Sequence, residues 1–355
     1  VKHQPKTYSV GIVGVRGYVG RELVSILTNH PQLNLKWVSS RQLEGKSLTS
    51  LNEDAQDLKI EHLSPRQIAD RSTQIVILAL PNGLAKPYVN ALVKNTNLRV
   101  IIDLSADHRF DDQWFYCLPE IHASTRPQLN ESTPLKISNP GCYSSAMQLA
   151  INPLSDLLTG RANCFGVSGY SGAGTTPGPN NNIERLQDNL LAYTPVEHLH
   201  ESEVSYHLKH PVSFTPHVST FFRGIHMTIQ LAFKKPVTME SIERRFYDCY
   251  ASQPLVRYQK DIPNLKQLVN SPFCLIGGVS ISQDGYRATL FACLDNLLKG
   301  AASQAIQNIN LALGLAVESG LIKQSELVSS TNPSPANSID GIKASRLPLI
   351  LGENQ

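Results

Sequence analysis

None of the six cysteines pairs with another at CxxC spacing, and none falls into a Cys/His zinc pattern. No metal site is therefore expected. Charge of one sign is scarcely in excess: 32 Lys and Arg stand against 29 Asp and Glu, a net +3. That balance argues against a polyanion as main partner, so no nucleic acid is expected. No apolar run approaches the ~20 residues a membrane-spanning helix needs. The stretch from Val1 to Lys6 leads straight into a strand pattern without an apolar signal region. A cytoplasmic location is the expectation, and with it free thiols. No internal repeat is visible. The 355 residues, 41% hydrophobic and 17% charged, suffice for two domains with a substantial core.

Alternation of elements dominates the first part. The apolar segments Tyr8–Val13, Leu33–Val38, Ile75–Leu80 and Val100–Leu104 read as strands. Helical patterns intervene, one from Leu23 to Leu27 and one near 85–93. This predicts an α/β domain with a doubly wound, Rossmann-type parallel sheet. After Cys142 the character changes. Residues 163–168, Phe214, the alternating Ile225, Met227, Ile229 and Leu231, and the run from Val279 to Leu290 read as strands of a mixed, largely antiparallel sheet. Asp284-Gly285 is a hairpin signal. Leu297–Val317 reads as one long helix. The expected division is a nucleotide-binding domain at 1–142, completed by a C-terminal helix at about 297–330. A catalytic and oligomerisation domain follows at 143–296, then a loosely packed tail at 331–355.

Two motifs carry chemistry. Gly14, Gly17 and Gly20, with Arg16 and Tyr18 between them, follow a strand and open a helix, where a pyrophosphate binds. NAD enzymes place an acid about twenty residues further on, for the ribose 2′-hydroxyl. This chain has Ser39-Ser40-Arg41 there, which suits a 2′-phosphate and so NADP(H). The second motif is Asn139-Pro140-Gly141-Cys142-Tyr143. It places a thiol at the start of an apolar helical pattern, where free N–H groups are expected to lower its pKa and to hold an oxyanion. Cys117, Cys164, Cys249, Cys274 and Cys293 are expected to be ordinary buried side chains. For a general base, His198 and His200 stand out beside Glu203, and residue chemistry does not choose between them. The loop Ser168–Gly174 suits backbone contact with an anion or a nicotinamide. Arg109 and Arg223 are candidate anion ligands or structural ion pairs.

Taken in order, these segments resemble the N-acetyl-γ-glutamyl-phosphate reductase family of the aspartate-semialdehyde dehydrogenase superfamily. The likeness runs through Leu78–Pro81, Asp103–Arg109, Tyr116–Glu120, Thr215–His217 and Asp295–Ala302 as well. It implies NADPH-dependent reduction of an acyl phosphate with release of phosphate, a step of arginine biosynthesis, by a homodimer or homotetramer. It makes Cys142 the nucleophile and His200 the acid/base, with Asn139 and the Cys142 N–H at the oxyanion. It places Leu80, Pro81, Ser171, Gly172, Ala173, Gly174 and Asn296 at the cofactor. Arg109, Glu203, His217 and Arg223 would line the substrate pocket. The chain departs from the family's pattern at Asn82 (usually His), Ser144 (usually Pro), Thr175 (commonly Arg) and Ser202 (usually Pro). The main alternatives are a lysine-pathway relative acting on an aminoadipyl phosphate one methylene longer, and a non-catalytic NADP-binding protein.

Overall fold

A computed structural model describes residues 6–130 and 132–322. Its first layer is a six-stranded, all-parallel sheet of order β2-β1-β3-β4-β6-β5. The chain builds it as β1 (Tyr8–Val13), α1 (Tyr18–Thr28), β2 (Leu33–Ser39), α2 (Pro65–Ala69), β3 (Ile75–Leu78), α3 (Lys86–Leu92), β4 (Val100–Asp103), β5 (Phe115–Tyr116), α4 (Pro119–His122) and β6 (Leu135–Ser138). Strands β3 and β4 are buried along their whole length, as strands covered on both faces must be.

The helix α5 (Cys142–Ile151) leads out of that sheet and is buried from Tyr143 onward. It packs on a seven-stranded sheet of order β11-β12-β13-β10-β7-β9-β8. The elements are β7 (Ala162–Gly169), α6 (Ile183–Leu186), β8 (Leu191–Ala192), α7 (Leu199–Leu208), β9 (Val212–Ser219), β10 (Ile225–Ala232), α8 (Met239–Tyr250), β11 (Val256–Gln259), β12 (Cys274–Ile281) and β13 (Arg287–Leu294). Two of its pairings, β7 with β9 and β11 with β12, are parallel; the rest are antiparallel. Burial alternates residue by residue along β9 and β10, so one face meets α5 and the other faces outward.

The final helix α9 (Ala302–Leu313) returns to the first sheet, burying Ala305, Ile306 and Ile309 among Ile12, Leu23 and Leu27. It is shorter than the expected Leu297–Val317. Asp295 Oδ1 accepts the N–H groups of Leu297 and Leu298 and holds that segment as a turn. Gly314, at φ 72°, ends the helix in a left-handed cap. Strand β3 stops at Leu78, short of the expected Leu80, and Tyr286 sits in the hairpin turn before β13. The expected tail at 331–355 lies outside the described residues.

Candidate active site

The loops after β1, β2, β3, β4 and β6 leave the carboxyl edge of the parallel sheet, where ligands of open α/β sheets bind. They carry Gly14–Gly20, Ser39–Arg41, Leu80–Asn82, Leu104–Arg109 and Asn139–Cys142. Asn82 Oδ1 accepts the Ala106 N–H at 3.0 Å, so this departure from the family pattern ties two of these loops together.

Cys142 is the first residue of α5 and Gly141 its N-cap. The imidazole of His200 lies against Gly141: a Cβ there would collide with His200 Nε2 and come 2.7 Å from Arg109 Nη1. Only glycine lets the His200 imidazole approach the residue before Cys142 so closely. Gly141→Ala is expected to lower kcat by about 10²-fold, since small misplacements of reacting groups cost that much. Steady-state kinetics check it, and wild-type kcat would contradict the packing described here.

Glu203 holds this turn from below. Its Oε1 accepts the Gly141 N–H at 2.9 Å and the Tyr116 hydroxyl at 2.8 Å; its Oε2 accepts Arg109 Nη1 at 2.9 Å. Arg109 also donates to the carbonyls of Asn139 and Leu104. Burial works to raise the Glu203 carboxyl, but Arg109, His200, the Gly141 N–H and Tyr116 outweigh it and keep it below the usual range. Burial pushes His200 down to about 3, with Glu203 pulling the other way. His200 is therefore neutral, able to accept a proton. The sequence expectation of a lowered thiol pKa is not met. Burial pushes Cys142 up to about 11, although the Tyr143 N–H and Arg109 pull it down. Both shifts favour the neutral form, a thiol at Cys142 and an unprotonated imidazole at His200.

The choice between the two histidines becomes physical here. His198 is the N-cap of α7, and its Nδ1 accepts the His200 N–H at 3.1 Å. It starts the helix that presents His200.

Other expected site residues are engaged elsewhere. The Asn139 amide is 1% exposed; its Oδ1 accepts Asn308 Nδ2 at 2.9 Å and its Nδ2 faces the Ala301 carbonyl, so it locks α9 in place instead of facing a substrate oxygen. Arg223 pairs with Glu22 on α1 at 2.7 Å and with Asp295 at 2.6 Å, joining the two sheets as a strut. His217 is on the outward face of β9 with its ring 4.2 Å from that of Phe165, whereas Phe214 faces Tyr143 on the inner side. The alternation of β9 thus turns His217 away from Cys142. Two residues lie in segments that carry the resemblance, but their contacts were not read from the sequence: the Tyr116 hydroxyl on Glu203, and a fully buried Lys299 whose Nζ meets Glu120, Gln304 and Gln307 within 2.8 Å. Lys299 precedes Gly300, where a Cβ would lie 2.6 Å from Cys142 Cβ.

The cofactor cradle fits NADP(H). Gly14 has φ +96° and a Cβ there would strike the Ala79 carbonyl; at Gly20 it would lie 2.6 Å from the Gly14 carbonyl. At Gly17 it would meet only the Gly14 carbonyl at 3.8 Å, so space is open before α1. Gly17 caps α1 without a side chain, which leaves first-turn N–H groups for a phosphate. Ser39 is not free for this purpose: its Oγ accepts the Leu63 N–H. Arg41 is exposed and makes no ion pair among the described residues, and Ser40 beside it makes no capping hydrogen bond. Glu61, bridged to Ser39 by backbone, has its carboxylate paired with Arg71, which keeps the end of β2 free of unpaired acid. Arg16 is half-buried in the glycine loop, and Tyr18 packs edge-on against Phe222. Across the cleft, Asn296 Nδ2 donates to Ser171 Oγ at 3.0 Å, next to Gly172, Ala173 and Gly174. Leu80 and Pro81 flank the opening after β3.

A nucleotide-binding parallel sheet leading through a cysteine in the first turn of a helix into a mixed-sheet domain defines a semialdehyde-dehydrogenase type of NADP-dependent oxidoreductase. The family models "Semialdehyde dehydrogenase, NAD binding domain" and "Semialdehyde dehydrogenase, dimerisation domain" match residues 9–128 and 142–296. Solved structures share the fold. Aspartate semialdehyde dehydrogenase II of Vibrio cholerae has a TM-score of 0.68 at 17% identity, over 87% of this chain and 99% of that one. The Candida albicans enzyme, solved with NADP, gives 0.67 at 14% identity, over 92% and 99%. Among curated proteins, the N-acetyl-gamma-glutamyl-phosphate reductase of Xanthomonas axonopodis pv. citri is 48% identical over 312 residues, 88% of this chain and 96% of that protein. That of Stenotrophomonas maltophilia is 48% identical over 310 residues, 87% and 96%. The chain belongs to the N-acetyl-gamma-glutamyl-phosphate reductase family.

Proposed function

We infer that this protein reduces N-acetyl-γ-glutamyl phosphate to N-acetylglutamate 5-semialdehyde, with release of phosphate, in arginine biosynthesis. The observation that carries the chemistry is the packing of His200 on Gly141, the residue before a thiol at a helix N-terminus. His200 accepts the Cys142 proton as Sγ adds to the acyl carbon. The N–H groups that open α5 face the oxygen that gains charge. Phosphate leaves and Cys142 carries a thioester. NADPH, when bound, supplies the hydride that reduces this carbon. Sγ then departs, His200 returns its proton to sulfur, and the semialdehyde is free.

We propose the division of labour accordingly. Residues 1–142 with α9 hold the cofactor, through the Gly14–Gly20 turn and through Ser40 and Arg41. Residues 143–296 carry base and substrate pocket. Arg109 and Glu203 shape that pocket through their mutual ion pair, and Arg223 fixes the angle between the two sheets. Pairing into a homodimer or homotetramer is supported by the dimerisation-domain match, and the outward face bearing Phe165, 40% exposed, is available for it. Among the described residues no helix is long and apolar enough to cross a membrane; a cytoplasmic site of action is part of the same proposal.

The test is phosphate-dependent reduction of NADP by purified protein with N-acetylglutamate semialdehyde, and separately with its homologue one methylene longer. Preference for the shorter aldehyde is expected. Preference for the longer one overturns the substrate assignment, and inertness toward both overturns the enzymatic reading.

A further inference from the structure

Behind the nucleophile, a chain of buried polar groups ends on the Gly141 N–H. Gln148 Nε2 donates to Tyr116 Oη at 2.6 Å and to Ser144 Oγ at 2.9 Å. Tyr116 Oη donates to the same Glu203 oxygen that accepts Gly141 N–H. His207 stacks flat on the Tyr116 ring, with centroids 3.4 Å apart and planes 8° from parallel. Its Nε2 donates to the Arg109 carbonyl at 2.7 Å. Ser144, Gln148 and Glu203 are wholly buried, and Tyr116 nearly so. A phenol clamped by an imidazole, whose oxygen already accepts from an amide, has its proton left for Glu203. Gln148 Oε1 is buried without a partner. Such an unsatisfied atom is costly, and here it accompanies an amide whose other end fixes Tyr116. Ser144, where the family pattern has Pro, adds a second acceptor for that amide.

We propose that Tyr116, held by Gln148, Ser144 and His207, is a positioning residue for this reaction. Its hydroxyl holds the Glu203 oxygen that accepts the Gly141 N–H, and so steadies the turn between Cys142 and His200. The proposal rests on the functional reading above for its kinetic consequence, though not for its electrostatic one.

Tyr116→Phe removes one hydrogen bond to a carboxylate and little volume. The lost donor favoured the charged form, so the Glu203 pKa rises. A hydrogen bond to a charged group corresponds to a shift of about one pH unit. The acid limb of kcat/KM is expected to move up by that amount. At neutral pH kcat falls about tenfold, with KM for either substrate within about twofold of wild type, because the turn is misaligned. Ser144→Ala, a milder change, moves both in the same direction by about two- to threefold. An unchanged acid limb in Tyr116→Phe overturns the proposal, as does an unchanged kcat. The second readout needs no turnover. In protein labelled with carboxyl-13C glutamate, the Glu203 resonance is assigned by its absence in Glu203→Gln. It should titrate about one pH unit higher in Tyr116→Phe. A coincident titration overturns the proposal, whereas an inert wild-type enzyme with a shifted resonance defeats only the functional reading.

Discussion

Cys142→Ala is expected to lower kcat by at least about 10⁴-fold, the scale seen when a covalent nucleophile is deleted from an assembled site. No other thiol can replace it. Cys117, Cys164 and Cys274 are buried in the two cores, Cys293 is buried on β13, and Cys249 is half-buried on α8. NADPH affinity should stay near wild type, because the glycine turn, Ser40 and Arg41 do not depend on the thiol. Steady-state turnover and fluorescence titration of NADPH check the two halves, and residual activity within about a hundredfold of wild type would exclude the covalent route. The resting thiol adds a pH signature. With Cys142 pushed up to about 11 and His200 down to about 3, neither group titrates between those limits in the free enzyme. The thiolate fraction then grows about tenfold per pH unit from pH 7 to 10. The rate of Cys142 alkylation by iodoacetamide should follow it. A rate already level at pH 7 would mean a standing thiolate–imidazolium pair in place of two neutral groups.

That neutral pair marks a boundary of what the sequence makes legible. The position of Cys142 at the start of a helix follows from a Pro-Gly turn before an apolar pattern, and it is where the structure has it. Its ionisation does not follow, because burial by groups distant in sequence outweighs the local N–H groups. The same division runs through the site. The glycine turn is local and legible. Arg109 and Arg223 are also visible as cations at strand ends, but their partners Glu203 and Glu22 are 94 and 201 residues away. No spacing rule reveals such ion pairs. Ser39 loses its hydroxyl to Leu63 for the same reason. His217 differs: the alternation of β9 assigns it a face, but which face meets α5 depends on how the second sheet packs. Among the elements, α8 was not read at all, although Thr238 and Ser241 form a capping box at its start. The two-residue strands β5 and β8 carry too little pattern to be read.

Glu203→Gln is expected to produce the largest loss of stability among single substitutions in the site. Glutamine keeps the volume and an acceptor for the Gly141 N–H, but removes the charge opposite Arg109. Both side chains of that pair are at most 7% exposed. Breaking a buried ion pair from one side costs about 3–5 kcal/mol, since the remaining charge is left uncompensated. Tm should fall on the order of 5–10 °C, and kcat with it, because the Gly141 turn loses its ionic anchor. The charge, and not the loss of packing, is identified by pH. Burial alone would raise the Glu203 carboxyl, but Arg109, His200, Gly141 and Tyr116 hold it below its ordinary value. A depressed carboxyl contributes stability that is fully present above its unfolded pKa of ~4.3 and is lost as pH falls through the folded value. Wild-type protein therefore loses this contribution on acidification and Glu203→Gln has none to lose. The Tm gap between them should be widest at neutral pH and close progressively below about pH 4. Thermal melts at a series of pH values test this directly. A gap that stays constant through that range would assign the destabilisation to shape, and the ion pair with Arg109 would then carry no net stabilisation in this fold.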